Sequence, residues 1–170
     1  SYYLFVGNCG ELCIFAANCK KTVRFMRFIG TIDAKVDQKG RVFFPALFRR
    51  VLKAEDGERL IMRKDIFEDC LVIYPESEWN KRLDELRGRL SVWNREQQRL
   101  FRGFVSDVEW LSPDSNGRIL IPKRYLKMAG IGAEVTFVGM DSTIEIWAKR
   151  EEGESSNGTA LGDALQEIML

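Results

Sequence analysis

The sequence predicts an α+β fold, mainly β, in which two similar units form one pseudo-twofold β-barrel with a two-helix insert between them. Three observations lead to this class. A nine-residue motif occurs twice, 77 residues apart; short apolar runs typical of strands follow each copy; and a helical pattern lies between the copies. Because each unit has only about 45–50 residues, too few for a comfortable core of its own, we expect both units to share one core.

Composition excludes several classes of enzyme. The chain has 170 residues, a net charge of +1 and no histidine, so it has no Ser-His-Asp group, no histidine metal ligand and no histidine pH switch. Cys9, Cys13 and Cys19 crowd the N-terminal end, and their spacing is not that of a zinc knuckle. We therefore expect no metal and no cofactor, and Cys70 is predicted to be a small buried side chain in a strand.

Residues 1–25 differ from the rest of the chain. They contain apolar runs, but none approaches the roughly 20 residues that a membrane span needs, and the basic residues follow the apolar part instead of preceding it as in a signal peptide. We expect an N-terminal extension, either an over-long start or an added segment, and no membrane partner.

The repeated motif is a turn followed by a strand and a proline. Residues 37–45, DQKGRVFFP, match residues 114–122, DSNGRILIP. Asp can accept a hydrogen bond from the backbone two residues on and Gly supplies a positive φ. The residues predicted to shape the two turns are therefore Asp37, Gly40, Asp114 and Gly117. The apolar triplets 42–44 and 119–121 predict strands covered on both sides.

A strand before the turn, and a short helix and two further strands after it, complete each unit. Pro45 and Pro122 suit the first helical position. The expected apolar helix faces are Leu47, Phe48, Val51 and Leu52 in the first unit and Tyr125, Leu126 and Ala129 in the second, where Gly130 ends the helix. Further strands are predicted at residues 60–62 and 71–74, and at 135–138 and 144–147.

The insert is predicted to contain two helices. An apolar stripe begins near Glu76 and follows helical spacing through Trp79, Leu83, Leu86, Leu90 and Trp93. Asn94 with Gln97 resembles a capping box that starts a second helix through Leu100, Phe101 and Phe104. These helices either make subunit contacts or pack on the barrel, and the sequence leaves both open. The predicted organisation is an extension over 1–25, a first repeat over 30–77, the insert over 78–106, a second repeat over 107–150, and an acidic linker with a short helix over 151–170.

Charge is distributed unevenly along the chain. From Lys20 to Lys53 there are ten basic and two acidic residues, whereas residues 151–170 contain five acids and neither Lys nor Arg. This asymmetry is typical of a protein with one basic face for phosphates.

The doubled Asp-x-x-x-Arg motif, each copy followed by an apolar triplet and Pro, together with the paired helices between the copies, resembles the MraZ family of bacterial transcriptional regulators over roughly residues 26–150. The resemblance implies two domains like those of AbrB and SpoVT, and a ring-shaped homo-oligomer in the cytoplasm, associated with the nucleoid. It implies multivalent binding of double-stranded DNA at repeated promoter boxes. The expected outcome is repression of the protein's own division and cell-wall gene cluster, without enzyme activity or a small-molecule substrate.

On this resemblance Arg41 and Arg118 would reach base edges, since a bidentate Arg on guanine is the commonest specific contact in the major groove. Lys39 and Lys35 would hold phosphates, with Asn116 standing where the family has a second Lys, so binding would depend more on the first copy. The two Asp residues would shape the turns or hold the following Arg.

Three alternatives accompany this interpretation. Both Arg residues could merely satisfy the Asp carboxylates across their turns. The chain could be a protein-interaction or antitoxin-like module of the same barrel class. A paired-Asp protease is disfavoured, because Gly comes third after Asp rather than second and the adjacent Arg would keep the acid ionised.

Overall fold

The computed structural model describes residues 27–53, 59–149 and 165–169. The predicted extension, the cysteines within it and the acidic linker lie outside these ranges, and residues 165–169, within the predicted C-terminal helix, are helical. No helix in the described ranges is long and apolar enough to cross a membrane. The elements are, in order, β1 (Phe28–Lys35), β2 (Arg41–Phe43), α1 (Ala46–Lys53), β3 (Leu60–Lys64), β4 (Leu71–Pro75), α2 (Glu76–Arg89), α3 (Arg95–Ser106), β5 (Glu109–Leu111), β6 (Arg118–Leu120), α4 (Lys123–Met128), β7 (Glu134–Asp141) and β8 (Thr143–Ala148).

The strands form a six-stranded antiparallel sheet in the order β1-β7-β8-β4-β3-β5 and a two-stranded ribbon of β2 and β6. The strands β1, β3 and β4 of the first unit are equivalent to β5, β7 and β8 of the second. When each strand is replaced by its equivalent, the sheet order read from one end becomes the order read from the other end. Each hairpin thus receives its outer strand from the other unit, as when Ile32 pairs with Phe137 and Ile61 with Trp110. Two interleaved units related by a pseudo-twofold axis account for this order.

The predicted closed barrel is wrong. Among the described residues β1 and β5 each pair with one strand of the sheet, so the sheet stays open at both ends. The ribbon, α1 and α4 cover one face of the sheet instead, and the structure is α+β with most strands in one open antiparallel sheet.

The larger core lies between the sheet and the ribbon with its two helices. It contains residues of both units, including Phe44 and Phe48 from the first and Ile121 and Tyr125 from the second. Phe48 packs edge-on against Phe28, and Phe44 packs edge-on against Phe137. The hydrophobic burial of each unit therefore depends on side chains of the other.

The helical hairpin, α2 with α3, packs on the opposite face of the sheet. Trp79 stacks on Phe104 and contacts Tyr74, which lies on β4. Asn94 caps α3 as predicted, by accepting from the backbone N–H groups of Glu96 and Gln97. The Gln97 side chain accepts from the backbone N–H of Ser91, so the second half of the predicted capping box does not form. The apolar stripe fails at the tip of the hairpin, where Trp93 is 94% exposed.

Exposure corrects two further expectations. The apolar triplets are covered on one side only, because the outer face of the ribbon is open: Phe43 is 60% and Leu120 54% exposed. On α1, Leu47 points away from the core and is 50% exposed. The helices α1 and α4 begin one residue after the predicted start, with Pro45 and Pro122 just before them. Helix ends commonly differ by one or two residues between assignments.

Candidate functional site

The two motif copies form two turns of the same geometry, residues 37–41 (the first turn) and 114–118 (the second turn). In the first turn, Asp37 Oδ1 accepts from the backbone N–H groups of Lys39 and Arg41 at 2.8 and 2.9 Å. In the second turn, Asp114 Oδ1 accepts from Asn116 and Arg118, both at 2.9 Å. Each carboxylate satisfies backbone donors that a tight turn would otherwise leave to water.

The glycine of each turn has a positive φ, +84° for Gly40 and +77° for Gly117, which favours a residue without a Cβ atom. Its carbonyl accepts from the other copy: Phe44 N–H donates to Gly117 O at 3.0 Å and Ile121 N–H to Gly40 O at 2.8 Å. These reciprocal bonds fix the two turns to each other across the ribbon.

Each turn ends in an arginine that binds the aspartate of the same turn. Arg41 Nε donates to Asp37 Oδ2 at 2.7 Å, an arrangement that leaves the Nη1 and Nη2 edge of the guanidinium for another acceptor. Arg118 is tied more completely, since its Nε and Nη2 both lie 2.9 Å from Asp114 Oδ2. The guanidinium groups are thus held in position before any ligand arrives.

The same contacts keep both aspartates ionised. The backbone N–H of Arg41 is the main cause that lowers the pKa of Asp37 below its ordinary value, followed on the lowering side by the Arg41 side chain. Arg118 lowers the pKa of Asp114 in the same way. The turns therefore remain charged at neutral pH, with one anion and one cation in each pair.

The ribbon places both arginines on its outer face. Arg41 lies opposite Leu120 and Phe43 opposite Arg118, while Val42 and Ile119 between them point into the core. The outer face therefore holds two arginines on one diagonal and two large apolar side chains on the other. The Arg118 guanidinium lies 6.0 Å from the centre of the Phe43 ring.

The remaining predicted residues lie near this face in different settings. Lys39 and Asn116 are exposed at the middle of the first and second turns. Lys35 lies at the end of β1, where its amine is 3.5 Å from a carboxylate oxygen of Glu134. An exposed pair of this kind contributes little to stability, and it puts an acid beside a predicted phosphate ligand.

Sequence reasoning missed Arg49 on α1. A Cβ atom on Gly117 would lie 2.7 Å from Arg49 Cζ, so this guanidinium rests directly on the second turn. The sequence does contain one signal for it, a break in the repeat: the position 77 residues after Arg49 holds Leu126.

Cys70 is buried as predicted, but it lies just before β4 and not within a strand. Burial is the main cause that raises the pKa of its thiol to about 12. Within the described ranges no group of three or more Cys, Asp or Glu side chains is placed to hold a metal ion.

The fold and site define a class of protein: a duplicated strand-exchanged unit that presents two Asp-bound arginines on one ribbon. A family model described as "MraZ protein, putative antitoxin-like" matches residues 27–102 and 107–151. The chain belongs to the MraZ family.

Three relatives show how far the similarity extends. A protein of Bacteroides thetaiotaomicron named "Transcriptional regulator MraZ" is 57% identical over 145 residues, which are 85% of this chain and 93% of that protein. Relatives with the same name from Bacteroides fragilis and Phocaeicola vulgatus are 59% and 53% identical, covering 85% of this chain and 92% and 94% of those proteins.

Proposed function

We propose that this chain is a transcription regulator that binds double-stranded DNA through the outer face of the β2–β6 ribbon. The observation that carries the proposal is the diagonal pair Arg41 and Arg118, each held by an aspartate of its own turn. The names of the relatives support regulation of transcription.

The shape of the site suits the major groove, which admits a two-stranded β-ribbon. Arg41 would use its Nη1 and Nη2 edge on guanine O6 and N7, with Arg118 contributing a weaker contact. Phe43 and Leu120 would touch thymine methyl groups, and Lys39, Lys35 and Asn116 would contact the backbone. Phosphate contacts would position the ribbon and base contacts would select the sequence.

One ribbon offers few base contacts, so the proposal includes a ring-shaped homo-oligomer that binds repeated promoter boxes. Linking several modules raises avidity by about 10²–10⁴ without new contacts at each site. The exposed apolar tip of the helical hairpin, with Val92 66% exposed beside Trp93, supports subunit contacts there. The expected target is the promoter of the protein's own division and cell-wall gene cluster, which it would repress from the nucleoid.

A gel-shift titration with the DNA upstream of the protein's own gene tests the proposal. We expect salt-sensitive binding by the wild-type chain and loss of the specific complex in the double variant Arg41→Ala plus Arg118→Ala. Loss of the bidentate Arg41 contact should cost about 1–3 kcal/mol, and loss of the weaker Arg118 contact should cost less. The matched control is Arg89→Ala plus Arg99→Ala, which removes the same charge from the helical hairpin and should leave the complex intact.

Two results would refute DNA binding by the ribbon. One is the absence of salt-sensitive binding by the wild-type chain. The other is equal binding by the wild-type chain and the ribbon double variant. Light scattering on the same samples gives the oligomeric mass. A wild-type chain that is a monomer and still forms the specific complex would contradict the ring.

A second candidate function is binding of a protein partner, because the matching family model is described as antitoxin-like. The same exposed Phe43 and Leu120 would then contact apolar side chains of the partner. This alternative predicts that DNA binding is absent or insensitive to the ribbon arginines, so the titration above separates the two candidates.

A further inference from the structure

The two turns carry different charges despite their common geometry. In each turn the Asp and Arg side chains form an ion pair of no net charge. The first turn also has Lys39 and so keeps one positive charge, whereas the second turn has Asn116 at the same position and keeps none. Phosphate contacts depend on unpaired cations, so the turns alone would bind DNA on one side.

The helix that covers the second turn brings a cation to it. Each short helix lies over the turn of the other unit: Arg49 of α1 lies against Gly117, and Leu126 of α4 lies near Gly40, where its Cδ1 would be 3.6 Å from an added Cβ. Arg49 and Leu126 occupy equivalent positions, 77 residues apart. A guanidinium therefore stands over the turn that lacks a Lys, and a plain apolar side chain stands over the turn that has one.

Two features of Arg49 suit a side chain that binds a ligand. Its Nε is buried and donates to no partner, and within the described ranges no carboxylate lies within ion-pair distance of it. Buried polar groups with a purely structural role are normally satisfied. Leu126 shows that packing over a turn needs no charge at this position.

We propose that Arg49 is the phosphate-binding cation of the second turn and replaces the Lys that position 116 lacks. The inference rests on the proposed function, because the phosphate belongs to DNA bound by the ribbon. With Lys39 at one end and Arg49 at the other, the ribbon contacts the backbone on both sides of the groove, although the two cations come from different positions in the repeat.

The test measures binding of a mixed-sequence 30-base-pair duplex by fluorescence anisotropy over a series of salt concentrations. The variant Arg49→Leu puts the residue of the equivalent position on α1, so packing is kept. We expect the negative slope of log K against log salt to become less steep by about 0.9 per bound protomer. Adding Asn116→Lys to Arg49→Leu should restore the slope, since it returns a cation to the second turn. Arg99→Leu, on the helical hairpin, is the charge-matched control.

Each outcome decides the matter. An unchanged slope in Arg49→Leu overturns this inference and leaves the proposed function standing, provided that wild-type binding is salt-sensitive and depends on Arg41 and Arg118. A less steep slope that Asn116→Lys does not restore also overturns it, and a lower melting temperature of Arg49→Leu would then assign Arg49 a structural role. If the wild-type chain shows no salt-sensitive binding, the proposed function fails, and this inference fails with it.

Discussion

The equivalent backbone hydrogen bonds of the first and second turns have nearly the same lengths, such as 2.8 and 2.9 Å to Lys39 and Asn116, yet the turns differ in the side chains that bear charge. Asp37 and Asp114 accept from equivalent backbone N–H groups and from the Nε of the following arginine, with Arg118 Nη2 as an additional contact, and the reciprocal bonds through Gly40 and Gly117 match. The difference lies in Lys39 against Asn116 and in the helix residue above each turn. A duplicated scaffold can therefore keep its geometry while its cations move to other positions.

The largest effect should come from the shared core. Phe48 and Tyr125 occupy equivalent helix positions and are both fully buried in one cluster. Phe48→Ala and Tyr125→Ala should each lower the free energy of unfolding by about 3–5 kcal/mol, and each should shift one common transition in a urea titration at fixed protein concentration. Leu47→Ala, on the exposed side of α1, should change it by less than about 0.5 kcal/mol. Two separate transitions, each sensitive to one variant, would show that the units fold independently.

A smaller effect should distinguish the two glycines. An alanine at either site strains the backbone by about 1–3 kcal/mol. In Gly40→Ala the new Cβ would also lie 2.5 Å from the carbonyl oxygen of Ile121, which is backbone, whereas in Gly117→Ala it meets the flexible end of Arg49. Thermal unfolding should therefore show the greater loss for Gly40→Ala. Gly88→Ala in α2, where nothing lies within 4 Å, should raise stability by about 0.5–1 kcal/mol. Equal losses at Gly40 and Gly117 would contradict the packing difference.

The smallest effect concerns acid stability. The pKa values of Asp37 and Asp114 are lowered from 3.8 in the folded chain. The ionised turns thus stabilise the fold in full above about pH 3.8, and this stabilisation is lost as the pH falls through the lower folded-state pKa values. Asp37→Asn and Asp114→Asn should each lower stability at pH 7 and flatten its decline below pH 4, as measured by urea midpoints. If the urea midpoint of either variant declines with pH as steeply as that of the wild-type chain, the ionisation of that aspartate contributes nothing to acid stability.

Local chemistry was predictable from the sequence, and distant pairing was not. The Asp-x-x-Gly-Arg turns, the Asn94 cap and the order of strands and helices follow from residues within a few positions of each other. The open sheet does not, because the partner of a strand such as β1 lies about a hundred positions away and periodicity carries no such information. The exposure of Phe43 follows from a ribbon that has only one covered face, which an apolar triplet alone cannot indicate.

The residues of the candidate site also divide into those that local sequence predicts and one that it does not. Arg41 and Arg118 were predictable because each follows its own turn, and the motif marks both. Arg49 was not, since it reaches the second turn from a helix of the first unit. The only trace in the sequence is the mismatch between Arg49 and Leu126, which becomes meaningful once the crossed packing of the helices is known.

The palindromic strand order also has a consequence for synthesis on the ribosome. Among the described strands of the first unit, β3 and β4 can pair as the chain emerges. In contrast, β1 must wait for β7, and β2 has a single bridge, Val36 to Val42, until β6 is made. Long-range pairing of this kind is slow and leaves strand edges open meanwhile. The pairing of β1 is thus completed only when β7, in the last described hairpin, has been made.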